Sequence, residues 1–169
     1  MAGSSLGGNA IRRMSIGATP IKRVSLGSVL VWSNAADPAG INKNAQQQAL
    51  DVNGGWIAIT GYVARSGFPL TSVATGGFVA SSDGTLSVTA QITWGSGGNL
   101  GTHRTGVGVN GANLVLTGDV TDQAVSTVSG TIEVRAGDVV GLVGMFTNGS
   151  FGANTVQAGA GTYLAATPI

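Results

Sequence analysis

Gly106-Val107-Gly108-Val109-Asn110-Gly111 matches G-x-G-x-x-G, the spacing with which a chain wraps a dinucleotide pyrophosphate. That chemistry needs a buried strand before the glycines and a helix after them, whose N-terminus holds the phosphates. Here Asn110-Gly111 is a hairpin signal and strand-forming residues follow it, so the stretch is read as a turn. His103 is the one histidine in the chain. A histidine base needs a nucleophile and an orienting carboxylate, and there is no G-x-S-x-G to present a serine. Beside Arg104 at a strand start, His103 is expected in a polar loop or at a subunit interface. Paired carboxylates for glycoside hydrolysis would have to come from Asp83, Asp119, Asp122, Glu133 or Asp138. Most of them flank turn glycines, and turn chemistry accounts for them better. Asp119-x-x-Asp122 is the one candidate calcium site, with backbone carbonyls completing the shell; two carboxylates are a thin donor set. Asn148-Gly149-Ser150 fits the N-glycosylation pattern, which has meaning only on a secretory route. No catalytic residue, cofactor or other metal site is assigned, and the chain is read as a non-enzyme.

The elements that carry these residues are strands. Dense turn signals punctuate the chain after Trp32: Asn53-Gly54, Asp83-Gly84, Asn110-Gly111, Gly118-Asp119, Ala136-Gly137-Asp138 and Asn148-Gly149. Val, Ile and Thr fill the runs between them. Thr85 to Trp94 alternates, with Leu86, Val88, Ala90, Ile92 and Trp94 on one face and Thr85, Ser87, Thr89, Gln91 and Thr93 on the other. That is a half-buried antiparallel strand. Trp56–Ala64, Gly106–Val109, Thr131–Val134, Val139–Phe146 and Thr162–Ala166 are further strand candidates. Ala45 to Leu50 holds helix formers, but it would serve equally as a first edge strand. The fold class is therefore all-β, a jelly-roll sandwich of about ten antiparallel strands with a short N-terminal β-repeat appendage.

Composition bears on what surrounds this sandwich. Charged residues are 9% of the chain, against about 25% in a typical soluble domain. Hydrophobic residues are 43% and glycine numbers 29 of 169, without a collagen period. Gly, Ser, Thr and Asn stand in for the missing charges, which favours a surface that meets other subunits over an aggregating one. There is no cysteine, so no disulfide framework. The longest apolar run, Val139 to Phe146, is far short of the ~20 residues of a membrane helix. The start lacks the apolar segment of a secretory signal, so synthesis in a cytoplasm is expected.

The first 33 residues repeat themselves. Ser5-Leu6-Gly7, Ser15-Ile16-Gly17 and Ser25-Leu26-Gly27 stand ten residues apart, and Ile11-Arg12-Arg13 recurs as Ile21-Lys22-Arg23. Val31-Trp32 fills the same slot a third time. Ten residues suffice for one short strand and one glycine turn, and such units cannot bury an apolar face alone. They need a docking surface. Residues 1–33 are accordingly read as an anchor, with Ile11, Arg12, Arg13, Ile21, Lys22, Arg23, Val31 and Trp32 as its interface residues, 34–44 as a linker and 45–169 as the jelly-roll head. The anchor carries four basic residues and no acid, while the rest is acidic by three (seven acids, four bases). No aromatic interleaves with the basic pairs to stack bases, so nucleic acid is not the expected partner.

The head also shows an ordered set of motifs: Trp56-x-x-Ile59-x-Gly61-Tyr62, Gly77-Phe78-x-x-x-x-Asp83-Gly84-x-Leu86-x-Val88, Gly106-Val107-x-Val109-Asn110-Gly111, Gly130-Thr131-Ile132-x-Val134-x-Ala136-Gly137-Asp138-x-Val140 and Gly161-Thr162-Tyr163-Leu164. Their order resembles the jelly-roll heads of the complement first component and tumour necrosis factor family. It departs from that pattern at Leu86, where an aromatic is usual, and there is no collagen stem. The resemblance implies a ten-stranded sandwich that assembles as a tight homotrimer; it implies no ligand. The N-terminal "I-K-R-V-S-L-G-S-x-x-V-W" resembles segments of small virion proteins of tailed phages, particularly minor tail proteins of phages infecting actinobacteria. That resemblance implies a virion structural protein, sited on the tail or as a capsid decoration, whose partners are its own copies and other virion subunits. Contact with a host surface glycan is compatible with such a display. The alternative is a free carbohydrate- or cell-surface-binding module of lectin type.

Overall fold

The computed structural model describes residues 14–16, 19–21, 23–26, 29–33, 36–44, 48–50, 54–96, 101–148 and 153–169. The chain divides into two compact units, Met1–Ala35 and Ala36–Ile169. In the first, β1 (Met14–Ile16) pairs antiparallel with β2 (Thr19–Ile21), and β3 (Arg23–Leu26) with β4 (Val29–Ser33). The second and third copies of the repeat are thus each a whole hairpin, not the single strand and turn that its length suggested; the first lies outside the described residues. Their strands are three to five residues long.

The second unit contains β5 (Ala39–Lys43), β6 (Gln48–Ala49), β7 (Ile57–Ala58), β8 (Tyr62–Ala64), β9 (Val73–Ala74), β10 (Gly77–Val79), β11 (Gly84–Thr93), β12 (Thr102–Val109), β13 (Asn113–Thr117), β14 (Val125–Val134), β15 (Val139–Thr147), β16 (Thr155–Val156) and β17 (Gly159–Pro168). Two antiparallel sheets make the sandwich. One has the order β14-β11-β17-β5-β8; the other runs β13-β12-β15-β10-β9, with β7 also paired to β15. β6 and β16 form a small separate pair. The all-β jelly roll expected from the sequence is the observed fold; its two sheets, of six and five strands, hold eleven against the expected number of about ten.

The core follows the period of two. Leu86, Val88, Ala90, Ile92 and Trp94 are all buried, opposite Val128, Ile132 and Val134 of β14 and Leu164 and Ala166 of β17. Phe78, Val107, Val140, Leu142 and Phe146 face them from the other sheet. Leu86 is buried where the family pattern favours an aromatic.

Two expectations need correction. Residues 39–43 are not linker: β5 lies between β17 and β8, with Ala39, Ile41 and Lys43 buried. A short apolar strand flanked by Pro38 and Asn44 has the composition of a connection, and only its pairing reveals it. The run Trp56–Ala64 is not one strand. Gly61, at φ 73°, breaks it, and the two pieces pair in different sheets, β7 with β15 and β8 with β5.

Candidate functional site

The glycine-rich motif is a hairpin. Asn110 (φ 54°) and Gly111 (φ 100°) open the three-residue connection, 110–112, between β12 and β13, both at the positive φ that Asn and Gly adopt most readily. The Asn110 side chain ties this turn to the next one. Its Nδ2 donates to Asp138 Oδ1 at 2.8 Å, and its Oδ1 accepts from Val139 N at 2.9 Å. Asp138 Oδ2 accepts from Arg135 N at 2.8 Å, and Asp83 Oδ1 accepts from Ala136 N at 2.8 Å. The Arg135 amide, then the Asn110 amide, hold the Asp138 carboxyl below the usual carboxylate range. Glu133 accepts from Thr85 Oγ1 across β11 and β14. Asp83, Glu133 and Asp138 therefore fasten turns and strands, as their flanking residues suggested. Asp122 accepts from the neighbouring Gln123 side chain at 2.6 Å, and both Asp119 and Asp122 are exposed. Among the described residues no three His, Asp or Glu side chains gather as they would around a metal ion.

His103 stands elsewhere than expected. It is fully buried inside the sandwich, neither in a polar loop nor on a surface. β12 turns it inward, against Trp94 (ring centroids 4.5 Å apart, stacked) and Phe146 (5.2 Å). Its Nε2 lies 3.1 Å from Ala153 O, so the neutral ring carries its proton there. Beside it runs a buried polar chain that sequence reasoning missed. Trp94 Nε1 donates to Ser126 Oγ at 2.8 Å, Ser126 Oγ meets Thr105 Oγ1, and Thr105 Oγ1 also donates to Ser126 O at 3.0 Å. Alternation was the available signal: His103 and Thr105 share the inward phase of Val107. Lys43 is a second buried polar residue, 3% exposed, with Nζ 3.4 Å from Asn44 Oδ1; burial lowers its pKa. Nothing in the sequence around Lys43 marked it as buried.

Of the expected anchor residues, Ile21, Arg23, Val31 and Trp32 lie in paired strands, with Ile21 opposite Met14, Arg23 opposite Ser33 and Trp32 opposite Val24. Ile11, Arg12, Arg13 and Lys22 lie outside the described residues.

The surface of the head is where a partner could be met. Five strands of the β14-β11-β17-β5-β8 sheet hold only two charged residues, the inward Lys43 and the outward Glu133. The outward face is otherwise mainly Ser, Thr, Ala and Gln, with Val125 and Val63 on its two edge strands and Tyr163 under the Arg65 guanidinium, 4.1 Å away. The exposed large apolar residues cluster on and beside the edge strands of the two sheets. Val115, Val120 and Val125 lie on β13, on β14 and on the loop between them, the edge where these two strands border the two sheets. Val63, Val73 and Leu70 lie on β8, on β9 and on the loop between those, the opposite edge. The only other one described is Ile169, at the end of the chain.

No protein-family model matches the sequence, and no curated protein matches it. Solved structures do. The head is similar to murine APRIL at pH 8.0, with a TM-score of 0.52 and 10% identity over 79% of this chain and 99% of that one. It is also similar to the Eiger TNF of S. frugiperda, with a TM-score of 0.50 and 12% identity over 80% and 93%. At such identities the likeness is one of fold: this chain has a jelly roll of the tumour necrosis factor type.

Proposed function

We propose that this chain is a structural protein of a tailed-phage virion, held by its N-terminal repeats and displaying a homotrimeric jelly-roll head. It would be a minor tail protein or a capsid decoration protein, made in the host cytoplasm and carried on the particle, with the head placed to touch the host surface. The reading assigns it no enzymatic reaction. The observation that carries the assembly is the pair of apolar edges. Single exposed valines are ordinary. Six large apolar residues divided between two opposite edges are a heterologous contact, in which one edge of a copy meets the other edge of the next. Such contacts either run on as a filament or close as a ring. The resemblance to trimeric heads supports closure at three. The virion half of the proposal rests on the repeat: two short hairpins cannot bury an apolar face by themselves and need a surface to dock on.

Light scattering at micromolar concentration should give three copies, and Val125→Asp or Leu70→Asp should each give monomers, since each edge is used once per contact. A monodisperse parent monomer would end the trimer reading. Attachment is tested by complementing particles that lack the protein and counting bound copies. Trp32→Ala should strip the protein while leaving trimers intact, because a buried Trp is worth ~2 kcal/mol or more at an interface. Full occupancy without residues 1–33 would favour the lectin-like alternative.

A further inference from the structure

We propose that His103 is an acid-sensitive latch: protonation of its buried ring releases the 118–124 loop and the 153–157 segment, while the rest of the sandwich stays paired. The ring is held where a cation has no place. Among the described residues, His103 Nδ1 is the one buried side-chain nitrogen or oxygen without a hydrogen bond. The Gln123 backbone lies close enough to favour a proton on the ring but is not aligned for a hydrogen bond. Trp94 and Phe146 cover the ring faces, and Nε2 is spent on Ala153 O. A proton added at Nδ1 creates a buried charge between two aromatic rings, and the nearby Gln123 backbone favours it less than burial opposes it, a state that a protein escapes by deprotonating or by opening.

What would open is also defined. The 118–124 loop hangs on the His103 backbone, His103 N to Thr121 O at 2.7 Å and Thr121 N to His103 O at 3.0 Å, and on Trp94 N to Ala124 O at 2.8 Å. The 153–157 segment touches the same pair of residues, through Ala153 O on the His103 ring and through the bridge of Val156 to Trp94, flanked by Gly95 N to Thr155 O at 2.7 Å; it is also tied to Leu50 and β6 through Leu50 N to Asn154 O, Asn154 Nδ2 to Leu50 O and the β6–β16 pairing, and to β11 through Gln157 N to Thr93 O. The imidazolium would disturb the bonds that both elements make to His103 and Trp94.

Among the described residues no charge on the packed elements compensates. β11 brings Trp94, β14 brings Ser126, β15 brings Phe146, and the 153–157 segment brings no ionisable group. The loop carries Asp119 and Asp122, both exposed. On the histidine's own strand, the Arg104 guanidinium is directed to Gly118 O at 3.1 Å and to the Trp56 ring. Asp51 lies outside the described residues. Burial holds the folded ring below the ordinary histidine pKa. The opened form therefore binds a proton that the closed form does not, and closure is favoured above about pH 6.5 and lost as pH falls through the folded value. The opening constant should rise by up to about tenfold per pH unit in that window.

With one histidine in 169 residues, the imidazole Hε1 of the intact chain gives a single titrating NMR signal. It should inflect below pH 6.5. Hydrogen exchange corrected for intrinsic rates should show the Thr121, His103 and Gly95 amides losing protection between about pH 6.5 and pH 5, with β11, β14 and β17 protected throughout. His103→Phe keeps the aromatic stack and should abolish that pH dependence; His103→Gln, which keeps a donor for Ala153 O, should do the same if the Phe variant does not fold. An inflection at or above pH 6.5, as pairing with a carboxylate such as Asp51 would give, overturns the proposal. So does pH-dependent exchange that persists in the variants, or loss of protection spread evenly over all the strands.

Discussion

Gly141 sits where two backbones nearly touch. A Cβ built there would lie 1.8 Å from the carbonyl oxygen of Gly76, and one on Gly77 would lie 2.0 Å from Val140 O. Gly141→Ala must therefore push the β9–β10 turn away from β15 by about 1.5 Å to restore a C···O contact of about 3.3 Å. The obstacle is backbone, which cannot swing aside as a side chain would. β10 and β15 share only two register pairs, Phe78 with Val140 and Val79 with Val139, so that shift strains the whole join. Losing about two backbone hydrogen bonds at ~1 kcal/mol each, on top of overpacking at ~1–3 kcal/mol, predicts a loss of about 3 kcal/mol or more. With a urea slope of about 2 kcal/mol/M, the midpoint should fall by roughly 1.5 M. Protein concentration must be held constant, since an oligomer's stability depends on it. Gly137→Ala is the control: Gly137 has φ 91° and open space around it, so the strain alone should cost ~1 kcal/mol. If Gly141→Ala melts within ~1 kcal/mol of the parent, or costs less than Gly137→Ala, the close approach of the two backbones is wrong.

Tyr62 Oη accepts from the buried Leu142 amide at 3.3 Å, so Tyr62→Phe should leave that N–H unpaired and cost ~1–3 kcal/mol by urea titration. Burial also holds the Tyr62 phenol well above its ordinary pKa; the folded chain keeps this proton, and stability should decline above about pH 10 in the parent more than in the Phe variant. Asp138 is the opposite case. Its lowered pKa adds stability above the ordinary carboxylate value near pH 4 that is lost as pH falls through the folded value. Asp138→Asn should be less stable than the parent at neutral pH, and the gap measured by thermal melts should close on acidification.

Much of the fold was legible because its strands are half-buried. Alternation from Thr85 to Trp94 names the inward residues one by one, and the turn pairs Asn110-Gly111 and Gly137-Asp138 mark hairpins through the positive φ they need. Legibility failed where pairing, not pattern, makes the element. β5 has no alternation, since Ala39, Gly40 and Ile41 are all buried, and Gly40 is there because Phe68 lies over it, 2.5 Å from where a Cβ would stand. A contact between residues 28 positions apart leaves no local trace. His103 failed for a different reason. Its neighbour Arg104 and the polar Thr102 suggested surface, yet the strand phase had already placed it with Thr105 and Val107. Phase outweighs polarity when the ring can stack and one nitrogen finds a carbonyl.

The same logic connects the scarcity of charge to assembly. A strand face that meets water ordinarily alternates charged residues with the core positions, and like charges across a contact repel a second copy. Here the outward positions of β11 and β14 are Thr85, Ser87, Thr89, Gln91 and Thr93 against Val125, Thr127, Ser129, Thr131 and Glu133, with Val125 at the end of the face. Hydroxyls keep such a face soluble, and they present no field that would hold a neighbour off. In the proposed trimer, specificity falls to the edges, where Val115, Val120 and Val125 stand across the sandwich from Val63, Leu70 and Val73. A charge placed on either edge acts once in every contact of a closed ring, whereas one placed at Thr89, in the middle of the sheet, meets solvent or the ring's centre. Thr89→Glu therefore separates two ways of closing. If the β14-β11-β17-β5-β8 faces turn toward a common axis, one substitution brings three carboxylates together and splits the trimer by salt-sensitive repulsion. If they turn outward, the substituted trimer keeps its mass in light scattering at both low and high salt.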